Sequence, residues 1–397
     1  MNIHDLIEDS ATLANLCSRL AQSPFVTVDT EFMRENSYYP ELCLIQIADE
    51  NEAAAIDPMA PDIDLAPLLD LLVNNEDVLK VFHAGGQDLE IVYNMTGKTP
   101  HPLFDTQIAA MALGQGEQIG YSNLVDAYLN VQIDKGARFT DWSRRPLDKR
   151  QLDYAIADVT HLSKIFPKML NKLRKTGRGN WLNEEMERLG DPSNYFNDPD
   201  AAWRRVRVNS RKADVLGRLK SLARWRELEA QGKNLPRGRI VKDETLADIA
   251  SHPPKKQGDL PKVRGLSGAW GGNDIGGRLM AAIADAEPLP DAEMPSKGDR
   301  KPSLGKEGAL VADLLKLLLK IRAREISVAA RLLARSDDLE ALAAGQRDQL
   351  PVLEGWRYEQ FGRDAVALVE GRLGFTVRGG KLKMTRTEED ECDTPQS

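Results

Sequence analysis

At 397 residues, 42% of them hydrophobic, and with a mean hydropathy of −0.42, the chain has the make-up of a globular protein and the length of two or three domains. No apolar run is long enough to span a bilayer, and Asp5, Glu8 and Asp9 stand where a secretory signal would carry a basic start and an apolar core. Cys17, Cys43 and Cys392 lack metal-ligand spacing, which fits reduced thiols and a cytoplasmic location. The net charge of −8 is unevenly spread: residues 1–198 hold 17 Lys and Arg against 31 Asp and Glu, whereas residues 201–286 hold 18 against 9. An acidic block followed by a basic one predicts two modules, the second suited to nucleic acid or simply to a solvated helical face.

The first predicted element is a helix over Asp9–Leu20, with Ser10 or Thr12 as its cap. Val26–Phe32 follows as a strand of β-branched and aromatic residues in period-2 alternation. After a break at Tyr38-Tyr39-Pro40, Leu42–Ala48 and Ala53–Asp57 read as two more strands around an Asp49–Glu52 turn. A helix is predicted over Leu65–Val73, a strand over Val78–His83, a helix over Gln87–Asn94, a short strand over Leu103–Thr106 and a helix over Gln107–Leu113. Antiparallel strands first and strand–helix units afterwards predict a mixed sheet with helices packed on it. Leu147–Lys175 is helical in pattern, with a kink or break expected at Pro167.

Beyond residue 200 the pattern is helical. Trp203–Gln231 reads as one amphipathic helix, Asn234–Gly238 as a turn, and Asp243–Ala250 as a short helix capped by Asp243. Prolines 288, 290, 295 and 302 mark residues 287–304 as a linker. Helices are then predicted over Ala309–Arg324, Ser327–Ala334, Leu339–Ala343 and Tyr358–Leu373, and residues 385–397 form an acidic, disordered tail.

Asp29 and Glu31 share one face of the Val26–Phe32 strand, because side chains two apart point the same way. Two adjacent buried carboxylates repel unless a cation lies between them, so a divalent metal is the natural partner. Asp88, early in a helix, and Asp158, four residues after Tyr154 on the long helix, complete an ordered set of four. Each has an ordinary reading alone: Asp88 is favoured by the helix dipole, and Asp158 fits a helix surface. His83 and His161 fit packing or surface roles better than ligand roles. Arg144, Arg145, Lys149 and Arg150 form a basic cluster that would suit substrate phosphates or simply solvate the helix start, and Phe32, Met33 or Tyr39 would suit a terminal base.

Val28-Asp29-Thr30-Glu31-Phe32, His83-Ala84-Gly85-Gly86-Gln87-Asp88-Leu89-Glu90 and Tyr154-Ala155-Ile156-Ala157-Asp158 resemble the three motifs of the four-carboxylate (DEDD) 3′→5′ exonucleases, in their tyrosine subclass. Tyr38-Tyr39-Pro40, Leu44-Ile45-Gln46, Leu103–Gln107 and Asp141–Leu147 narrow the resemblance to the bacterial ribonuclease D family. Asn234–Arg237 through Ile240-Val241 and Leu246–Ala250 are similar to the helicase-and-ribonuclease-D C-terminal (HRDC) domain, and residues 305–375 to a weaker second copy.

The resemblance implies an α/β ribonuclease H-like exonuclease domain over residues 1–198, a mixed sheet flanked by helices, followed by two small all-α HRDC-type domains over 203–286 and 305–375. It implies two divalent ions, Mg²⁺ or Mn²⁺, held by Asp29, Glu31, Asp88 and Asp158, with Tyr154 orienting the attacking water. The implied activity is 3′→5′ trimming of 3′ trailers of tRNA precursors and other stable RNAs, releasing nucleoside 5′-monophosphates; a monomer is expected. Two alternatives share these residues: a DNA exonuclease in repair, and a non-catalytic nucleic-acid-binding protein.

Overall fold

The computed structural model describes residues 1–134, 136, 140–295 and 304–386; the proposed tail beyond residue 386 and residues 296–303 of the proposed linker lie outside the described residues. In chain order the first part holds β1 (Asn2–Ile3), α1 (Ser10–Leu20), β2 (Phe25–Met33), β3 (Glu41–Ala48), β4 (Glu52–Ile56), α2 (Ala66–Val73), β5 (Leu79–Phe82), α3 (Gly86–Thr96), β6 (Leu103–Asp105), α4 (Thr106–Ala112), α5 (Tyr121–Leu129), α6 (Lys149–Thr176) and α7 (Asn183–Gly190). A helical module follows with α8 (Ala213–Lys233), α9 (Arg237–Ile240), α10 (Asp243–Ser251) and α11 (Asp274–Ala284). The C-terminal region opens on α12 (Lys306–Glu325) and closes on a hairpin, β7 (Leu373–Arg378) with β8 (Lys381–Arg386).

The six-stranded sheet has the order β1-β4-β3-β2-β5-β6. β1 runs parallel to β4 and β2 parallel to β5, whereas β3 is antiparallel to both its neighbours, so the sheet is mixed as expected. Alternation sorts the two faces. Val26, Val28, Ile45 and Ile47 point into a core with Leu13, Leu16 and Leu20 of α1 and Leu68, Leu71 and Leu72 of α2. The opposite face, with Leu44 and Ala55, packs against Ala155 of α6.

The chain forms two compact units. One gathers Met1–Phe104, Ile133–Lys164 and Glu187–Ser296; the other gathers Asp105–Gln132, Ile165–Met186 and Lys297–Ser397. In the first, the loop after β2 plugs into the helical module. Tyr38 is buried among Leu219, Leu222 and Ala230, and its hydroxyl donates to the buried Glu227, which Arg237 also grips at 2.6 Å. Burial, with that hydrogen bond, pushes the Tyr38 phenol up to about 12. Residues at the start of the proposed linker belong to the same packing: Leu289 enters the module core and Glu293 pairs with Lys220 at 2.6 Å. In the second unit, Leu315, Leu318, Leu333, Leu342 and Phe361 form a separate core. Arg178 donates to the Ala112 carbonyl at 2.7 Å, and Arg357 to Glu185 at 3.1 Å.

Several local expectations change. Asp9, not Ser10 or Thr12, caps α1, accepting from Thr12 N at 2.9 Å. Helix α6 runs through Pro167 without ending, since the proline removes one ladder bond in a long, well-buried helix. Trp203–Gln231 divides into a 3-10 turn over Pro199–Arg205 and α8, separated by the β-branched Val206 and Val208 and the helix-averse Asn209 and Ser210. Asp243 lies inside α10, where it pairs with Arg226 at 2.6 Å rather than capping. The final predicted helix stops at Val369, where Gly371 takes a positive φ of 78° and the chain turns into the hairpin, an element the helical reading does not include. Helices α5 and α7 are further additions to the predicted elements.

Asn234 holds the β2 loop to the module. It ends α8 with φ 49°, and its Oδ1 accepts from both Tyr38 N (3.1 Å) and Tyr39 N (3.0 Å). Asn234→Ala orphans two amides and forces a Cβ-bearing residue without a local polar side chain into the left-handed region. A loss of about 2–4 kcal/mol is expected in urea unfolding. Asn234→Gly keeps the backbone conformation and should lose about 1 kcal/mol less; equal losses would show that the conformation contributes nothing.

Candidate active site

The site is built on the α6 face of β2. Thr27 seats the helix: its hydroxyl lies 3.0 Å from the Val159 carbonyl and 3.2 Å from the Ala48 carbonyl, one residue along α6 from Asp158. Asp29 and Glu31 continue the same face of the strand and stay partly exposed, while Asp158 is buried above them. Each of these three acids offers an oxygen within 4.8 Å of the others. Tyr154, one turn before Asp158, hydrogen-bonds it and sits with its ring 6.2 Å from that of the buried Trp142. Sequence spacing places Tyr154 and Asp158 on one face; it contains nothing about Trp142.

Asp88 arrives by a different route. β5 pairs with β2 only from Phe25 to Thr27, so past that point the chain leaves the sheet and turns into α3 beside the continuing β2. The turn is tight: Ala84 takes a positive φ of 57°, and a Cβ on Gly85 would stand 2.6 Å from Phe82 Cβ. It delivers Asp88 to the first turn of α3, where the helix dipole favours a carboxylate and the Thr30 hydroxyl donates to its Oδ1. Thr30 points away from Asp29 and Glu31 on the strand, yet reaches Asp88 across the strand edge. Nothing in the motif itself signals that hydrogen bond.

Electrostatically the cluster is loaded with one sign. Burial, then the charges of Asp88, Asp158 and Glu31, raise the Asp29 carboxyl well above the ordinary carboxylate range. Burial and the charges of Asp158, Glu31 and Asp29, with the hydrogen bond to Asp158, raise the Tyr154 phenol, so it remains a proton donor at neutral pH. Hard oxygen donors at this density, desolvated and without a basic side chain among the causes of the Asp29 shift, fit a divalent cation.

The other candidates separate. Arg145 is structural, bidentate on Asp57 at 2.6 Å and donating to the Cys43 and Trp142 carbonyls. Lys149 pairs with Asp153 and Arg150 with Asp134, both on the surface, while Arg144 is exposed. Burial lowers the pKa of His161, which suits a neutral packing histidine. Tyr39 packs edge-on to Tyr38 at 4.7 Å, against the helical module.

Comparison with known proteins places this geometry. The model of the 3'-5' exonuclease family matches residues 5–174, and that of the HRDC domain matches residues 215–283. Ribonuclease D of Sphingobium indicum is 75% identical over 388 residues, covering 98% of this chain and all of the relative, and that of Zymomonas mobilis is 67% identical over 390. The chain belongs to the ribonuclease D family. The crystal structure of Escherichia coli RNase D, an exoribonuclease involved in structured RNA processing, superposes with a TM-score of 0.76 at 30% identity, covering 94% of this chain and 99% of that one. A Bifidobacterium adolescentis protein at 21% identity shares the fold, with a TM-score of 0.69. Membership of the ribonuclease D family makes the chain a hydrolytic 3′→5′ exoribonuclease that depends on a divalent metal and takes a nucleic-acid substrate.

The close packing behind Gly85 gives a test of how Asp88 is placed. Gly85→Ala must push Phe82 or the turn aside, costing about 1–3 kcal/mol in urea unfolding. Because the turn also aims Asp88, the exonuclease rate of the still-folded variant should fall as well. Full activity in Gly85→Ala would mean that Asp88 tolerates displacement.

Proposed function

We propose that the protein trims the 3′ trailers of tRNA precursors and other stable RNAs, releasing nucleoside 5′-monophosphates by two-metal hydrolysis. The observation that carries this reading is the convergence of Asp29, Glu31 and Asp158 within 4.8 Å, with Asp88 beside Asp29 and Tyr154 bonded to Asp158. Asp29, Glu31, Asp88 and Asp158 would hold the divalent ions, with Asp29 common to them, Glu31 and Asp158 toward the attacking water and Asp88 toward the leaving 3′ oxygen. Mg²⁺ or Mn²⁺ held there would supply the positive charge that activates water and stabilises the departing oxygen. The chain's own contributions are positional. Trp142 and the Asp158 hydrogen bond fix the Tyr154 ring, whose hydroxyl orients the water; Thr30 fixes the Asp88 carboxylate.

Residues 1–198 are assigned to the exonuclease domain, 203–286 to the first HRDC domain and 305–375 to a second, HRDC-like one. The chain is proposed to act as a cytoplasmic monomer; Cys17 and Cys43, both buried free thiols, are consistent with a reducing compartment, and no described helix is long and apolar enough to cross a membrane.

The deciding experiment uses a 5′-labelled, 3′-extended tRNA and a DNA strand of the same sequence, with Mg²⁺ or chelator. Stepwise shortening of the RNA is expected, abolished by chelator and slowed about a thousandfold or more by Asp29→Asn, several kcal/mol of lost charge stabilisation. Preferred cleavage of the DNA would favour repair; binding without cleavage of either strand would leave a nucleic-acid-binding protein.

The acidic exonuclease region has little attraction for RNA of its own, so the basic module is assigned that role. Arg207, Arg211 and Lys212 are exposed at its start. Replacing all three with Ala should raise KM at low salt with kcat unchanged. The slope of log KM against log salt should flatten by about 0.7 for each phosphate that the variant no longer neutralises. An unaltered salt slope would remove these residues from the RNA path.

A further inference from the structure

Gln46 is fully buried in β3, and neither atom of its side-chain amide has a hydrogen-bond partner among the described residues. A buried amide left unsatisfied is costly to folding, and an apolar residue of the same size would avoid that cost. Its place in the sheet identifies what the amide faces. In the antiparallel register Gln46 lies directly opposite Asp29, between the pairs Thr27–Ala48 and Glu31–Leu44. Directly opposed residues project to the same face, with Cβ atoms about 4.5–5.5 Å apart. On that face Leu44 packs with Ala155, and Ala48 with Val159, so Gln46 lies beneath the turn of α6 that leads to Asp158. On its other side Asp29 has no cross-strand neighbour among the described residues, because β5 pairs with β2 only as far as Thr27.

We infer that Gln46 is a positioning residue for the metal site, its side-chain N–H donating to the Asp29 carboxylate when that carboxylate binds a divalent cation. A carboxylate ligand held in one rotamer keeps its coordinating oxygen aimed at the ion, and partners of this kind tune metal affinity without touching the metal. The amide is neutral, so it can serve Asp29 without competing with the cation for the cluster, which a lysine or arginine at the same place would do. This inference rests on the assignment of Asp29 as a metal ligand.

The test measures Mn²⁺ binding alone, by calorimetric titration of the full chain without RNA, for wild type, Gln46→Met, Gln46→Leu and Asp29→Asn. Gln46→Met keeps the volume and removes the donor. Its Mn²⁺ affinity is expected to fall by about tenfold or more, and Gln46→Leu should follow it. The thermal midpoint of the metal-free variants should equal or exceed that of wild type, because an unsatisfied amide has been removed. The Mn²⁺ concentration giving half-maximal exonuclease rate should move up by the same factor as the binding constant. Unchanged Mn²⁺ affinity in Gln46→Met, with binding lost in Asp29→Asn, overturns the role of Gln46 alone. Unchanged affinity in both overturns the metal assignment of Asp29 beneath it. A lower midpoint in both metal-free Gln46 variants would show that the amide serves folding, and would overturn the inference too.

Discussion

Four carboxylates that repel one another are held together here by parts of the chain that have nothing else in common. Asp29 and Glu31 are fixed by strand alternation, Asp158 by a helix seated through Thr27, and Asp88 by a turn that leaves the sheet early. Without a cation the cluster works against folding, since desolvation and like charge both penalise the ionised forms. The surrounding scaffold offsets this with a densely packed core on the far side of the sheet, where Val26, Val28, Ile45 and Ile47 are all essentially buried. The strand that carries the most unfavourable charges is thus also among the most firmly anchored.

The basic helical module is tied to that same strand. Five residues after Met33 ends β2, Tyr38 enters the module core, and Glu227, Gln231, Asn234 and Arg237 all bond the loop there. Glu227 is buried and would be costly alone; Arg237 and the Tyr38 hydroxyl satisfy it together. The module is therefore tied through the loop to the end of the strand that presents Asp29 and Glu31, beside the role proposed for its charge.

Much of this could be read from the sequence because the decisive residues obey short-range rules. Period-2 alternation put Asp29 and Glu31 on one face, helical spacing joined Tyr154 to Asp158, and the mixed sheet followed from the order of the strands. The rest depends on residues far apart in the chain. Arg145 looks like a phosphate ligand until Asp57, 88 residues away, accepts from its Nε and Nη2 while backbone carbonyls take Nη1. Asp9 displaces Ser10 as a cap because an extended residue immediately before the helix suits that geometry. The C-terminal hairpin escapes because the predicted helix, real as far as Val369, is the last predicted element; Gly371 turns the chain, and both strands lie over residues 373–386. Gln46 is visible only as part of a motif; its burial and its place opposite Asp29 are properties of the register.

That register has an irregularity. Between Glu31 and Phe32 the pairing of β2 with β3 slips, so that Glu31 faces Leu44 while Phe32 faces Leu42, and Cys43 is left as the extra residue. A bulge of this kind absorbs a change of one residue by re-forming the pairs around it. The chain consequently divides into two stretches with opposite tolerance to a change of length. A residue gained or lost in the loop before Leu42 can be taken up at the bulge. One gained or lost between Leu44 and Ala48 inverts the strand's faces, sending Gln46 into the apolar core and Ile45 or Ile47 against the acids. An insertion or deletion fits the first stretch, and the five residues from Leu44 to Ala48 leave no room for one.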